Sequence, residues 1–376
     1  MDEALEGRRL AALFADLCAI DSPSRGERAV AERVRAELGS LGLEVEEDDA
    51  GTAIGGDCGN LLARIPGPDE QARTVLLCAH LDTVPALAPL EPTLTDGYWE
   101  NAGQGILGAD NKAAVAVLLI LARRLAEQGS PCAIELLFTV AEEICLQGSA
   151  AFDRSRLRSE YGFVFDHATP IGGVVTASPT HYRIEAQFTG AAAHAGLEPE
   201  RGRSAVLAAA RTVAALEQGR LDEATTQNIA LIEGGGAINV VPDRCRIEGE
   251  LRSLDGARAE QLAADFVAAC NRAANLPDCD VDVDVTCERT FAGYRHPEAS
   301  PGVEVARRAL ARRGYEPFDV ASGGGSDANS FMVAGLPVIN IANGTEFAHQ
   351  PRERVSDEAL LAMVGVSAAL IDEAAA

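Results

Sequence analysis

The segment Leu76–Val84 reads LLCAHLDTV, and in it an apolar run typical of a buried strand ends with a histidine and, two residues later, an aspartate. Because residues i and i+2 of a strand point to the same face, His80 and Asp82 are predicted to emerge side by side where this strand ends. In an open α/β sheet, ligands bind outside the carboxyl ends of the strands. The pair therefore predicts a functional edge of a sheet.

Other segments repeat the pattern of an apolar strand that leads into polar residues. Segments 133–140 (AIELLFTV) and 161–166 (YGFVFD) are apolar and lead into acids, whereas 112–127 is strongly helical. Strands that alternate with helices predict an α/β fold with a mostly parallel sheet. Residues 24–27 (SRGE) predict a capping box that opens a second helix, and the polar stretch 94–105 predicts turns.

The pattern of elements changes near residue 176. From residue 181 to about 290, two successive strand–helix–strand patterns predict a separate α+β domain, and the α/β pattern then resumes. A domain inserted into another is the simplest organisation. We expect residues 1–177 and 291–376 to form one α/β domain and 178–290 to form the insertion, which suits a chain of 376 residues.

Composition excludes several classes of function. The formal net charge is −25, from 57 acidic and 32 basic residues, so the chain is expected to repel nucleic acid and anionic membrane surfaces. The longest apolar run, residues 113–122, is too short to span a bilayer. The N-terminal sequence MDEALEGRRL is not a signal peptide, and a cytoplasmic location is expected.

Cysteine usage supports the same location. The nine cysteines are an odd number without a CxxC pair, and several lie in apolar runs. This pattern favours reduced, buried thiols over a disulfide framework, and it argues against a cysteine-based zinc site.

Histidines and carboxylates collect at the predicted strand ends. Each alone has an ordinary explanation, since a single histidine is usually structural and an acidic pair usually lies on a solvated loop. Together they suit two divalent cations, because imidazole and carboxylate are good ligands for Zn²⁺, Co²⁺ and Mn²⁺. Two such metals can share a water, lower its pKa and polarise a carbonyl. The candidates are His80, Asp82, Asp110, Glu142, Glu143, Asp166 and His349.

Several motifs together resemble the M20 family of zinc exopeptidases, and most closely its tripeptidase, peptidase T-like branch. They are AHLDTVP, LGADNKAAVA, AEEICLQGS, FVFDHATP, AAHAGLEPERGRSA, GGGAINVVPD, SGGGSDANSF and AHQPRERV. The resemblance extends from about residue 15 to the end of the chain. It implies a catalytic domain with a mostly parallel central sheet, and an inserted, ferredoxin-like lid and dimerisation domain.

The resemblance also implies roles for the residues at the strand ends. Two Zn²⁺ ions per subunit, with Co²⁺ or Mn²⁺ as alternatives, would be held by His80, Asp110, Glu143, Asp166 and His349, with Asp110 bridging. Glu142 would be the general base, and Asp82 would accept a hydrogen bond from His80. Asn111 stands where the branch usually has a second aspartate, and the Asp110–Asn111 bond is expected to be cis.

In the insertion, the resemblance implies that His194 approaches the scissile carbonyl. The histidine would act across a homodimer that forms through the inserted domain. Asn239 and Arg252 match positions that hold the substrate carboxylate, although Arg252 also fits a surface ion pair. The implied enzyme is a cytoplasmic metallopeptidase that acts on short peptides, as an aminopeptidase on tripeptides.

Two alternatives remain open at this point. One is another amidohydrolase of the family, such as an N-acyl-amino-acid deacylase or a glutamate-type carboxypeptidase. The other is a non-catalytic binding protein on the same fold, although Glu142 and all five ligand positions are present.

Overall fold

The computed structural model describes residues 3–69 and 71–376, which divide into two units. The first unit comprises the chain up to Thr176, together with Arg295–Ser322 and Ser326–Ala376. The second comprises Ala177–Tyr294 and Gly323–Gly325. The first segment of this unit thus ends at Thr176, one residue before the expected residue 177. The chain returns to the unit at Arg295, four residues after the expected residue 291.

Ten α-helices are present in the described residues. In chain order they are α1 Glu3–Cys18, α2 Arg28–Ser40, α3 Ala50–Ile54, α4 Ala109–Gln128, α5 Gln147–Ala151, α6 Ala205–Ala215, α7 Gly256–Ala274, α8 Pro301–Arg312, α9 Asp327–Val333 and α10 Asp357–Ala375. Of these, α6 and α7 belong to the second unit.

The same residues contain eighteen strands. They are β1 Val45–Glu47, β2 Leu61–Ile65, β3 Thr74–His80, β4 Pro92–Thr95, β5 Tyr98–Asn101, β6 Ala133–Thr139, β7 Tyr161–His167, β8 Gly173–Ser178, β9 Thr180–Thr189, β10 Gly219–Asp222, β11 Thr225–Gly234, β12 Arg244–Ser253, β13 Asp282–Phe291, β14 Tyr294–Arg295, β15 Phe318–Ala321, β16 Val338–Ala342, β17 Thr345–Glu346 and β18 Arg354–Ser356.

A nine-stranded mixed sheet forms the centre of the first unit. Its order is β1-β2-β6-β3-β7-β16-β8-β14, and β15 pairs with β8. The four central strands β6, β3, β7 and β16 are parallel, and antiparallel pairs flank them. Strands buried on both faces need a continuous apolar run rather than an alternating one. Strand β3 has such a run, and β6 has one apart from the buried Glu135. The expected α/β fold with a parallel centre is confirmed.

Helix α4 lies in the core of the first unit. Residues 113–122, the longest apolar run of the sequence, are all buried in it. Lys112 is also buried, and its ammonium donates a hydrogen bond to the carbonyl of Ile20. Among the described residues, every helix is too short or too polar to cross a bilayer.

A smaller sheet of four strands, in the order β17-β18-β5-β4, belongs to the same unit. Strands β4 and β5 form a hairpin whose turn residues, Asp96 and Gly97, both have positive φ. The prediction of turns alone for residues 94–105 was therefore incomplete. An Asp-Gly pair is a strong signal for a two-residue hairpin turn, because both positions need φ above zero.

The second unit is an antiparallel sheet in the order β10-β11-β12-β9-β13, packed against α6 and α7. Without β10, the elements follow the order strand–helix–strand–strand–helix–strand of a ferredoxin-like fold, as expected. Burial alternates strictly along β12 because one face of the sheet covers the helices.

Candidate metal centre

The parallel register brings the predicted polar residues to one edge of the central sheet. His80, the last residue of β3, lies beside Thr139, the last residue of β6. Glu142 and Glu143 follow β6, and Asp166 lies near the end of β7, on the other side of β3. Separate segments of the chain therefore meet at the carboxyl ends of neighbouring strands.

Asp110 lies between the two histidines. Its Oδ1 is 3.3 Å from His80 Nε2, and its Oδ2 is 3.5 Å from His349 Nε2. On one side, His80 Nε2 is also 3.5 Å from Asp166 Oδ1. On the other side, His349 Nε2 is 3.0 Å from Glu143 Oε2. The structure thus gives two groups of possible ligands that share one carboxylate.

Both groups have the spacing of a metal site. One ligand atom each from His80, Asp110 and Asp166 lie within 4.8 Å of one another, and so do those from Asp110, Glu143 and His349. Asp110 Oδ1 and Glu143 Oε1 are buried and accept no hydrogen bond. Buried carboxylate oxygens normally have a partner, so these orphaned atoms fit two cations with Asp110 between them.

The electrostatics of the cluster agree with that fit. Burial and the nearby Asp166 carboxylate raise the pKa of Glu142 well above its ordinary value, and burial raises the pKa of Asp166 to about 8. Hydrogen bonds to Asp110 and Glu143 raise the pKa of His349 to about 10. So many buried acids need positive charge nearby, and either protons or divalent cations supply it.

Glu142 lies beside the two groups of possible ligands that share Asp110. Its Oε2 is 3.9 Å from His80 Nε2, and the side chain is largely buried. It belongs to neither of the two groups that share Asp110. One of its oxygens does lie within 4.8 Å of ligand atoms of His80 and Glu143, so Glu142 borders both groups. A carboxylate in this place can exchange protons with a water held between the two groups.

The loop that carries Asp110 is held by a residue that the sequence analysis did not single out. The Glu353 carboxylate accepts hydrogen bonds from the amides of Leu107, Gly108 and Asp110, at 2.8–2.9 Å. The bond between Asp110 and Asn111 is cis, as the resemblance implies. Glu353 lies in the AHQPRERV motif, and its position there is the only sequence signal for this role.

Asp82 contacts both His80 and the loop that carries Glu142 and Glu143. Nδ1 of His80 lies 2.9 Å from the main-chain oxygen of Asp82 and 3.4 Å from its Oδ1. The carboxylate itself accepts hydrogen bonds from the amides of Glu142 and Glu143 and from the Ser24 hydroxyl. Asp82 therefore fixes the loop of the candidate base, as well as lying beside the imidazole.

The predicted capping box at residues 24–27 is wrong. Helix α2 begins at Arg28, and Glu27 makes no side-chain capping bond to it. Instead, Glu27 Oε1 accepts hydrogen bonds from the amides of Arg25 and Ala141. Long-range contacts with the loop before Glu142 have replaced the local bonds that the SxxE pattern predicts.

Two of the predicted substrate residues are neighbours in the second unit. His194 forms an antiparallel bridge with Val240, and the amide of Ala195 donates a hydrogen bond to the carbonyl of Asn239. His194 and Asn239 are both exposed. Arg252, in contrast, lies near the end of β12 and opposite His181 of β9.

Arg252 and Asn239 lie at opposite ends of one strand. Asn239 precedes β12, whose ten residues span roughly 33 Å, and Arg252 is the last residue but one. Its guanidinium donates to the Glu250 carboxylate at 2.9–3.0 Å and to the carbonyl of Gly323 at 3.2 Å. Asn239 and Arg252 of one chain therefore do not meet at one carboxylate.

A family model and a curated relative match most of the chain. The model of peptidase family M20/M25/M40 matches residues 76–373. The uncharacterized protein YqjE of Bacillus subtilis (strain 168) is 35% identical over 369 residues, which cover 98% of this chain and 99% of YqjE.

Two solved structures are similar over nearly the whole chain. Aminopeptidase PepT from Bacillus cereus is 35% identical, with a TM-score of 0.88 and coverage of 98% of this chain and 99% of PepT. A tripeptidase from Staphylococcus aureus is 29% identical, with a TM-score of 0.92 and 98% coverage of each chain. Since the family model covers most of the chain and the likeness to PepT extends from end to end, this chain belongs to peptidase family M20/M25/M40 and is a metallopeptidase of its PepT-like branch.

Proposed function

We propose that this chain is a two-zinc aminopeptidase that removes the N-terminal residue of tripeptides in the cytoplasm, as a homodimer. The observation that carries the proposal is the position of Asp110, with one oxygen toward His80 and the other toward His349. The PepT and tripeptidase names of the similar structures support the substrate class. Co²⁺ and Mn²⁺ suit the same imidazole and carboxylate ligands.

In this proposal His80, Asp110 and Asp166 hold one metal, and Asp110, Glu143 and His349 hold the other. The metals would polarise the scissile carbonyl and acidify the attacking water. Glu142 would accept the proton of that water and pass it to the leaving amine. Its place supports this role, because the side chain is largely buried and its Oε2 is 3.9 Å from His80 Nε2. Asp82 holds the main chain of Glu142 and Glu143 while the proton moves.

The second unit would contribute the residues that bind the substrate. His194 would stabilise the oxyanion, with Asn239 beside it. Arg252 would bind the terminal carboxylate, held in place by Glu250. Because Asn239 and Arg252 lie at opposite ends of β12, we propose that His194 and Asn239 serve the partner's centre and Arg252 serves its own.

A panel of substrates tests the activity. Metal-free protein is loaded with Zn²⁺ and given tripeptides, the same peptides with an acetylated N-terminus, and N-acyl amino acids, and the released amino acids are identified. An aminopeptidase releases the first residue of free tripeptides and leaves acetylated ones intact. Release of the last residue, or faster cleavage of N-acyl amino acids, would instead identify a carboxypeptidase or a deacylase.

Arg252→Ala tests the proposed carboxylate contact. The wild-type enzyme is expected to cleave a free tripeptide about tenfold or more faster than its C-terminal amide, as kcat/KM, because a charge-assisted hydrogen bond to the carboxylate is lost with the amide. The variant is expected to cleave both at the same low rate. Arg258→Ala, an exposed arginine of the same unit, is the control. Equal rates for the two peptides with the wild-type enzyme would contradict the assignment.

A further inference from the structure

A second cluster of possible metal ligands lies outside the strand-end centre. Glu27 precedes α2, while Asp57 and Cys58 lie between α3 and β2. A carboxylate oxygen of Glu27, a carboxylate oxygen of Asp57 and Cys58 Sγ all lie within 4.8 Å of one another. None of these residues belongs to the groups around Asp110.

The backbone fixes the two segments that carry this cluster. The amide of Asp57 donates to the carbonyl of Arg25 at 3.1 Å, and the amide of Arg28 donates to Asp57 Oδ1 at 3.0 Å. At Gly51, a Cβ atom would stand 2.2 Å from the carbonyl oxygen of Cys58, so only glycine allows this close passage. The three side chains are therefore held together by main-chain contacts on both sides.

Glu27 has one oxygen without a partner in the described structure. The side chain is 0% exposed, and Oε1 accepts hydrogen bonds from the amides of Arg25 and Ala141, each at 2.9 Å. Oε2 is buried and accepts none. A buried carboxylate oxygen left in this way is costly unless a cation or a proton compensates it.

The charges around the cluster also favour a cation. Burial, with the neighbouring Glu27 and Asp57 carboxylates, raises the pKa of the Cys58 thiol, and burial raises the pKa of Glu27 to about 7. Arg28 lies nearby, but its guanidinium donates to Glu47, to Glu32 and to the main-chain oxygen of Asp57. The arginine is thus engaged by other groups, and Glu27 Oε2 gains no hydrogen bond from it.

We propose that Glu27, Asp57 and Cys58 bind a third divalent metal ion, of the borderline-soft class of Zn²⁺ and Cd²⁺. One thiolate and two carboxylates are ligands of that class, and because Asp57 is exposed, water can complete the coordination. On binding, the thiol of Cys58 loses its proton to solvent. The cysteine pattern of the sequence argued against such a site, because no CxxC pair is present and Glu27 and Cys58 are far apart along the chain.

The ion would act on the loop that precedes the candidate base. Glu27 Oε1 holds the amide of Ala141, which is followed directly by Glu142. A metal on Oε2 would fix the Glu27 carboxylate in that position. We therefore expect occupancy of the third site to stabilise the segment around Ala141, and its slower amide hydrogen exchange would report this.

Cd²⁺ titrated into the metal-free protein tests the proposal. Among the described residues, the groups around Asp110 contain no sulfur ligand, so a thiolate-to-metal absorption band in the ultraviolet difference spectrum reports only a site with cysteine. The wild-type protein is expected to bind three Cd²⁺ per chain and to show the band of one Cd–thiolate bond. Two Cd²⁺ without a band, or three without a band, would overturn the proposal.

Variants assign the band. Cys58→Ala is expected to bind two Cd²⁺ and to lose the band. Cys287→Ala changes a half-buried cysteine of the second unit, and it should still bind three Cd²⁺ and show the band. If Cys58→Ala fails to fold, Glu27→Gln replaces it, since the amide oxygen still accepts hydrogen bonds from Arg25 and Ala141 while the charge is gone. This variant should bind the third ion at least about tenfold more weakly. A band that survives in Cys58→Ala, or full affinity in Glu27→Gln, would overturn the proposal.

Discussion

Glu142 is the residue on which the proposed chemistry depends. Its carboxylate is 8% exposed and lies outside the two groups that share Asp110. Glu142→Gln removes the proton acceptor and preserves the shape of the side chain. We expect kcat to fall about 10²–10⁴-fold while elemental analysis still finds two strand-end metals. Glu91→Gln, an exposed acid of the same unit, is the control. Full activity in Glu142→Gln would exclude it as the base.

The two histidines are expected to respond differently to replacement. His80 is buried, whereas the His349 side chain is 51% exposed. His349→Ala should therefore lower the strand-end metal content from two ions to one and leave the melting temperature of the metal-free protein unchanged. His80→Ala should lose metal and also melt earlier, because it leaves a buried gap. Two strand-end metals bound in His349→Ala, counted after Cys58→Ala has removed any third ion, would contradict the ligand assignment.

At the scale of the element, Glu353 connects the segment after β17 to the start of α4. Its carboxylate accepts three amide hydrogen bonds from the loop that presents Asp110. Glu353→Ala leaves those amides unpaired, so we expect metal affinity to fall about 10–100-fold, as it does when the supporting partners of metal ligands are lost. A competitive chelator assay measures this. Glu346→Ala removes a nearby acid that pairs with Arg354 instead, and it should bind metal as the wild type does.

The elements that the sequence predicted best are the long buried ones. Strands β3, β6 and β7 and helix α4 are mostly apolar and mostly buried, and the candidate ligands lie at or next to their ends. The small sheet was missed because β17 and β18 have two and three residues, too few to show a period. The role of Glu27 was missed because its partner Ala141 is 114 positions away.

For the whole molecule, the geometry of the second unit bears on assembly. His194 and Asn239 lie at the end of the sheet opposite Arg252, and the chain enters and leaves the unit near the Arg252 end, where Thr180 opens β9 and Phe291 closes β13. Sequence motifs predicted all three residues, but not that a strand of ten residues separates them. The proposal that all three bind one substrate therefore depends on a second chain.

Subunit mixing tests this arrangement. Glu142→Ala and His194→Ala are each expected to be inactive, or nearly so, as pure homodimers. If His194 acts on the partner's centre, a mixed dimer has one centre with both defects and one with none. An equal mixture that exchanges subunits should then recover about a quarter of the wild-type activity, since half of the dimers are mixed and each has one working centre. If His194 acts within its own chain, every centre keeps one defect and the mixture stays inactive. Sedimentation of the active wild-type protein provides the independent control, because a fully active monomer is incompatible with a histidine that is supplied by a partner.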